Sequence, residues 1–360
     1  MRNSVYLALA LVFVQLTSCR NTDNSKAVKP GIALTYANDV MTDGAGAQLQ
    51  RVYGIYALSR YLNVPYVHTP LKEIGYQGLA ALERNAGSPD MQDKYNRFFT
   101  IPSDIELPEN TISRYMSSPT VGDIERLKNE AGKENKFYLV KILLPYSITD
   151  RNTEIYRCLK EISPFQSARS NTFRIAIHVR RGEQLALDSQ LGAGDEHRIL
   201  PNSYYVSSAM RIVEALKKLG IPFVCELYTE VPSKAFVVTP QSHGINGRIS
   251  HPVLIDPKMN HIEDFDVIPN LRKCINLDPI ESLKGMATAD ALIISRSSFS
   301  YLAALFSKGI VIYYPFWHQP LKEWLISDIS GNISSEELLE QLKSWKAQTQ
   351  QAPHQRSAAT

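Results

Sequence analysis

Excess charge of either sign is missing from this chain: 39 Lys and Arg stand against 36 Asp and Glu in 360 residues, a net +3. No global basic field of the kind nucleic-acid binders use can arise from that balance, so any anion site has to be local. Cysteine is also scarce. The four residues Cys19, Cys158, Cys225 and Cys274 are spaced too widely for a zinc ribbon or a CxxC redox pair. No Asp-x-Asp pair of the kind that holds a metal sits at a strand end.

Long apolar runs are equally rare. The one at the start, Val5 to Leu16, follows Arg2 and leads into Leu16-Thr17-Ser18-Cys19. It falls short of the ~20 residues that span a bilayer, which favours a cleaved targeting segment over a spanning helix. Leu-Thr-Ser-Cys resembles the bacterial lipoprotein cleavage box, which would lipidate Cys19 and anchor the chain through its N-terminus by the polar linker Arg20 to Lys29. A eukaryotic signal or signal anchor stays open. The expected location is therefore exported or membrane-associated: a secretory or Golgi lumen in a eukaryote, the cell envelope in a bacterium. Three remaining cysteines allow one disulfide and a leftover thiol, with Cys225 expected in the core. Asn332-Ile333-Ser334 is a lone glycosylation sequon.

What the chain does have is alternating strand and helix patterns. An apolar fraction of 44% over 360 residues is enough for two globular units. After a signal and linker over 1–29, Ile32 to Tyr36, a glycine turn, a helical run carrying Leu49, Val52, Tyr56 and Leu62, and Val64 to His68 read as a β-α-β unit. Gly78 to Lys136 shows no clear period and reads as loops and short helices. Phe137 to Leu144 completes a first sheet, and a first α/β domain over 30–165 ends in Ser163-Pro164-Phe165-Gln166-Ser167.

The second unit, 166–330, alternates more clearly. Strands are expected to end at Val179 and to cover Phe223 to Tyr228, Ala291 to Ser295 and Ile310 to Tyr314. Helices are expected over Ser203 to Leu219, Ile280 to Thr288 and Ser298 to Ser307. Over 331–360, Ser334 to Glu337 opens a last helix with Leu338, Leu339, Leu342 and Trp345 on one side. From Gln348 onward the polar composition reads as disorder.

One segment concentrates the chemistry. Ile175 to Glu183 reads Ile-Ala-Ile-His-Val-Arg-Arg-Gly-Glu, an apolar strand ending in His178, Arg180, Arg181, Gly182 and Glu183. Guanidinium forks match phosphate oxygens two at a time, and parallel sheets bind ligands at the carboxyl ends of their strands. A diphosphate carried by a nucleotide is the natural partner. Alternation puts His178 and Arg180 on one face of the strand and Arg181 on the other. Two further features point the same way: Asp290 before a strand, and Ser295-Arg296-Ser297-Ser298-Phe299-Ser300, where a strand meets a helix N-terminus suited to anions.

Together, His-Val-Arg-Arg-Gly, the acidic segment after Leu227-Tyr228-Thr229, and Ala-Asp-Ala-Leu-Ile-Ile-Ser-Arg-Ser-Ser-Phe-Ser resemble the three motifs of GDP-fucose-dependent fucosyltransferases, the superfamily of α-1,2, α-1,6 and protein O-fucosyltransferases. Gly44-Ala45-Gly46-Ala47-Gln48 resembles the glycine-rich loop that opens many α-1,2 members. The resemblance runs from residue 31 to about residue 315 and implies an α/β fold with two Rossmann-like domains facing a cleft, the GT-B type. It implies inverting transfer of fucose from GDP-fucose to a glycan or protein-linked hydroxyl, without a metal. It also implies that Arg180 holds the diphosphate, that His178 and Asp290 face the guanine, and that Ser297, Ser298 and Phe299 line the phosphate end.

Glu183 stands where α-1,2 enzymes usually carry aspartate, and Thr229-Glu230 where two aspartates are usual, so the linkage class is not implied. Asp188 and Glu183 are the candidate general bases, each with a solvated loop acid as its ordinary alternative. Tyr204 and Tyr205 could wall a sugar pocket or simply pack a helical turn, and Asp195, Glu196 and His197 read as an exposed loop. Two other readings stay open: a glycosyltransferase using another nucleotide sugar, and a non-catalytic exported glycan-binding protein of the same fold.

Overall fold

The computed structural model describes residues 30–39, 43–166, 170–191 and 197–356. The targeting segment, Cys19, Ser167, Asp195 and Glu196 lie outside those residues. The first half runs β1 (Gly31–Tyr36), α1 (Ala45–Tyr61), α2 (Leu79–Arg84), α3 (Met91–Phe98), β2 (Ile112–Met116), α4 (Val121–Glu134), β3 (Phe137–Ile142) and the short α5 (Tyr146–Thr149). Its three strands are parallel in the order β1-β3-β2. The expected strand over Val64 to His68 is reduced to one parallel bridge between Tyr66 and Leu34, because Pro65 has no N–H to continue a ladder.

Two elements emerge from the stretch that shows no period. β2 is an edge strand whose Ser113, Arg114 and Tyr115 face solvent, so it carries no apolar alternation. α4 buries Ile124, Leu127 and Ala131 and is opened by a reciprocal capping box between Thr120 and Asp123.

The second half runs β4 (Phe173–His178), α6 (Gln184–Asp188), α7 (Asn202–Leu219), β5 (Phe223–Thr229), a small antiparallel pair β6 (Phe236–Val238) and β7 (Val253–Ile255), β8 (Leu271–Ile275), α8 (Pro279–Ala287), β9 (Ala291–Ile293), α9 (Ser298–Phe306), β10 (Ile310–Tyr313), β11 (Leu325–Ile326) and α10 (Ser335–Arg356). Six parallel strands lie in the order β11-β10-β9-β4-β5-β8. The chain builds outward from β4 to one side, then returns to build outward from β9 on the other. That is the 3-2-1-4-5-6 winding, and its switch point lies between β4 and β9. The fold is thus α/β with two parallel sheets facing a cleft, the GT-B-type arrangement.

β4 divides its faces with a period of two. Ile175, Ile177 and Val179 pack with α7 and with Leu338 and Leu342 of α10, whereas Ala176 faces a cluster that includes α8, α9 and α1. That second cluster continues without a break into the first half, through Tyr53 of α1 and Ile32, Leu34 and Val140 of its sheet. Tyr53 meets Phe306 of α9 edge to face at 4.8 Å, and Phe165 packs on Phe306 at 5.8 Å. Each such pair adds about 0.5–1.5 kcal/mol beyond area burial. The halves therefore share a core across α1 and α9. α10 extends to Arg356, into the polar stretch from Gln348 that reads as disorder, so that expectation is corrected for 348–356. Cys158, Cys225 and Cys274 are free thiols, with Cys225 fully buried. Among the described residues no helix is long and apolar enough to cross a membrane.

Candidate functional site at the switch point

At the tips of β4 and β9 the backbone is tied by one hydroxyl. Ser295 Oγ donates to the His178 carbonyl at 2.6 Å, accepts from the Arg180 N–H at 2.8 Å and lies 2.7 Å from the Tyr205 hydroxyl. Thr229 Oγ1 donates to the Val179 carbonyl at 2.8 Å, which fixes the same strand end from the β5 side. Buried, satisfied side-chain networks of this kind hold a strand tip to one geometry. Next to them opens a cavity of about 510 Å³ between the halves, bordered by residues from both, a size within the range of small-molecule sites.

His178 and Arg180 continue the Ala176 face of β4 and border this cleft. Arg180 sits 5.5 Å over the ring of Tyr76 and is paired with Glu183. Burial works against its charge, but Glu183, Tyr76, Glu230 and Asp43 together hold its pKa above the ordinary arginine value. Glu183 keeps one oxygen on Arg180 and Gln184, while Oε2 is buried with no hydrogen-bond partner among the described residues. His178 borders the cleft, its Nδ1 is buried without a hydrogen-bond partner among the described residues, and its ring lies 5.8 Å from Phe299. Burial first, then Arg180 and Arg181, push its pKa down to about 3, so the imidazole is neutral at physiological pH.

Gly182, with φ of +65°, turns against the first half, not toward open space. A methyl there would stand 2.4 Å from the Tyr76 hydroxyl and 2.6 Å from Glu230 Oε2. Glu230 itself accepts from Tyr76 at 3.0 Å and from the Leu79 N–H at 2.7 Å, and burial raises its pKa. Gly44 caps α1, and Gly46 lets the start of α1 press on the start of α9: a Cβ on Gly46 would be 2.6 Å from Phe299 Cα and 2.8 Å from its nitrogen. Two helix N-termini, each carrying about half a positive charge, therefore converge at the floor of the cleft with Arg180. Ser297 caps α9 through the Phe299 N–H at 3.3 Å, and Ser297, Ser298 and Phe299 all border the cleft.

Three expectations are corrected. Asp290 precedes β9 and so lies at the opposite end of the sheet, where its carboxylate accepts from the Arg174 N–H and from Trp345 Nε1, both at 2.8 Å. Arg174 and His178 are four residue steps apart along the strand, about 13 Å at ~3.3 Å per residue, and Asp290 does not border the cleft. It cannot read a base held there. Asp188 accepts from the Arg198 and Ile199 N–H groups at 2.7 and 2.8 Å and does not border the cleft, which makes it the clasp of a loop and not a base. Arg181 reaches the cleft edge, but its guanidinium is engaged by the Arg180 carbonyl at 2.8 Å and by Asn202 of α7. Tyr204 and Tyr205 are fully buried and pack the start of α7.

Four cleft residues carry no signal in the sequence. Asp43 pairs with Arg51 at 2.7 Å, and Tyr76 comes from the loop before α2. Arg198 lies over the exposed ring of Trp317 at 4.7 Å, and its guanidinium has no hydrogen bond or ion pair with a described residue. Loops deliver all four, and loop positions follow no period.

No family model matches the chain, and no curated protein does. Among solved structures, a crystal structure of POFUT1 in complex with GDP overlaps it with a TM-score of 0.39 at 12% identity, covering 79% of this chain and 97% of that one. A crystal structure of POFUT1 in complex with GDP-fucose overlaps with a TM-score of 0.37 at 11% identity, covering 79% and 97%. An overlap this loose leaves the chemistry to the side chains around the cleft.

Proposed function

We propose that this chain is a glycosyltransferase that takes a sugar from a nucleoside diphosphate, with GDP-fucose the donor to which its motifs are similar, and transfers it with inversion to a glycan or protein-linked hydroxyl. The observation that carries the reading is the position of Arg180: a guanidinium at the strand tip of the switch point, in a cleft that the N-termini of α1 and α9 also border. Arg180 and Arg198 neutralise the diphosphate as it departs, a role that needs no metal. Glu183 Oε2 receives the acceptor proton once the hydroxyl lies in line with the anomeric carbon. A neutral, unpartnered His178 Nδ1 supplies one hydrogen bond to the nucleotide.

A second reading, transfer from another nucleotide sugar, is favoured by one observation: Asp290, the carboxylate expected to select guanine, is remote from the cleft. The two part in one experiment. Calorimetry with GDP, ADP and UDP, and hydrolysis of GDP-fucose beside GDP-mannose and UDP-sugars, should favour the guanosine donors; preference for a uridine donor moves the assignment to the second reading. Arg180→Ala should weaken GDP binding about 10²- to 10³-fold with its circular dichroism unchanged. An unchanged affinity in a folded variant removes the enzyme reading altogether.

A further inference from the structure

Behind Ser298, on the side away from the cleft, three polar groups from distant parts of the chain are strung together. Asp150 follows α5, His318 lies in the loop after β10, and Ser298 opens α9. His318 Nε2 is 3.3 Å from Ser298 Oγ, and His318 Nδ1 is 3.9 Å from Asp150 Oδ2. The imidazole is 2% exposed and packs against the rings of Tyr146 at 4.8 Å and Tyr301 at 4.9 Å. Asp150 Oδ1 and His318 Nδ1 are both buried without a hydrogen-bond partner among the described residues.

Burial lowers the His318 pKa, Asp150 opposes that shift and Arg51 adds to it, so the ring is neutral and carries a single proton. The neighbour decides which nitrogen bears it. A carboxylate beside Nδ1 attracts an N–H there, whereas a bare Nδ1 would set lone pair against lone pair. With the proton on Nδ1, Nε2 can only accept, and the Ser298 hydroxyl has to donate to it. Ser298 Oγ then turns nothing but lone pairs toward the cleft that it borders. A phosphate oxygen, itself an acceptor, gains nothing from that oxygen; a ring hydroxyl does.

We propose that Ser298, set by His318 and Asp150, accepts a hydrogen bond from a hydroxyl of the bound substrate, on its ribose or its transferred sugar, and so acts as a specificity-determining residue and not as a phosphate donor. The inference rests on the nucleotide-sugar reading above and narrows it: diphosphate is held by Arg180 and backbone N–H groups, and Ser298 inspects a sugar ring. His318 and Asp150 are positioning residues that act through Ser298.

The test is calorimetry on the full chain with GDP, 2′,3′-dideoxy-GDP, GDP-fucose and inorganic diphosphate, for the wild type and for Ser298→Ala, His318→Ala, His318→Gln and Asp150→Asn. Loss of one neutral hydrogen bond should weaken the hydroxyl-bearing ligand by on the order of three- to tenfold in Ser298→Ala and His318→Ala, with inorganic diphosphate unaffected. His318→Gln should recover part of the loss, because its amide oxygen can accept from Ser298. Asp150→Asn, whose amide oxygen can still accept from Nδ1–H, should keep more of the affinity than His318→Ala. A loss seen with GDP but not with dideoxy-GDP identifies the ribose; a loss confined to GDP-fucose identifies the transferred sugar.

The ¹⁵N spectrum of the wild type should show a neutral Nδ1–H tautomer at the signal missing from His318→Gln. An Nε2–H tautomer there, or equal losses on inorganic diphosphate, overturns the proposal. If the wild type binds GDP and every variant binds all ligands equally well, only this inference falls. If the wild type binds neither GDP nor GDP-fucose, the nucleotide-sugar reading falls and takes this one with it.

Discussion

The two sheets meet the cleft in different ways. The six-stranded sheet presents strand tips locked to one another by Ser295 and Thr229, with His178 and Arg180 projecting from the lock. The three-stranded sheet presents loops: Asp43 and Gly44 before α1, and Tyr76 before α2. A grip on a shared chemical unit such as a diphosphate suits the rigid side, and recognition of a particular acceptor suits the loops. Yet the difference stops at the surface, because a single apolar cluster runs beneath both.

The shared cluster gives the sharpest way to break that comparison. Phe306→Ala removes the ring that Tyr53 and Phe165 pack on and should cost about 3–5 kcal/mol, with both halves melting in one calorimetric transition. Two resolved transitions would show that the halves stand independently. Within the rigid side, the two acids expected as bases separate by their partners. Glu183→Gln should lower turnover about 10²-fold or more. Asp188→Asn should leave turnover near wild type and lower stability by about 1–3 kcal/mol, as it weakens the acceptor for two backbone N–H groups. The reverse pattern would exchange their roles.

Acid sharpens the comparison further. The folded-state pKa of His178 is depressed from 6.5 to about 3, so unfolded chains bind its proton first as pH falls. Its contribution to stability is complete above pH 6.5 and declines toward pH 3, at about 1.4 kcal/mol per pH unit. Urea unfolding of wild type and His178→Asn across that window should differ by this slope, and parallel curves would refute the burial argument. The smallest effect belongs to the open edge of the first sheet. Tyr115→Ala on β2 should change stability by less than about 0.5 kcal/mol, because that ring faces solvent.

Much of the rigid side could be read in the residues themselves. Ile175, Ile177 and Val179 alternate with Ala176 and His178, and Arg180 and Arg181 go on to different partners, Glu183 and Tyr76 for the first and Asn202 of α7 for the second. Gly220 stops α7 and the serines after β9 open α9 where expected. Asp290 is instructive in its error. A residue just before a parallel strand lies at the amino edge of the sheet, and ligands gather at the carboxyl edge, so its place in the chain already argued against contact with the cleft. Asp188 was hidden for another reason, since nothing in its neighbourhood reveals that two backbone N–H groups ten and eleven residues on would claim its carboxylate. β2 and β8 are edge strands whose Arg114, Arg272 and Lys273 face out, and charged edges that discourage pairing with other chains also mask the strand pattern. Tyr76, Arg198 and Trp317 come from loops and become neighbours only after folding.

The pinch between Gly46 and Phe299 has a mechanical meaning. With no room for even a methyl group between the starts of α1 and α9, anything larger than hydrogen at position 46 would act as a spacer and wedge the two walls apart. The width at the base of the cleft is therefore set by one missing side chain.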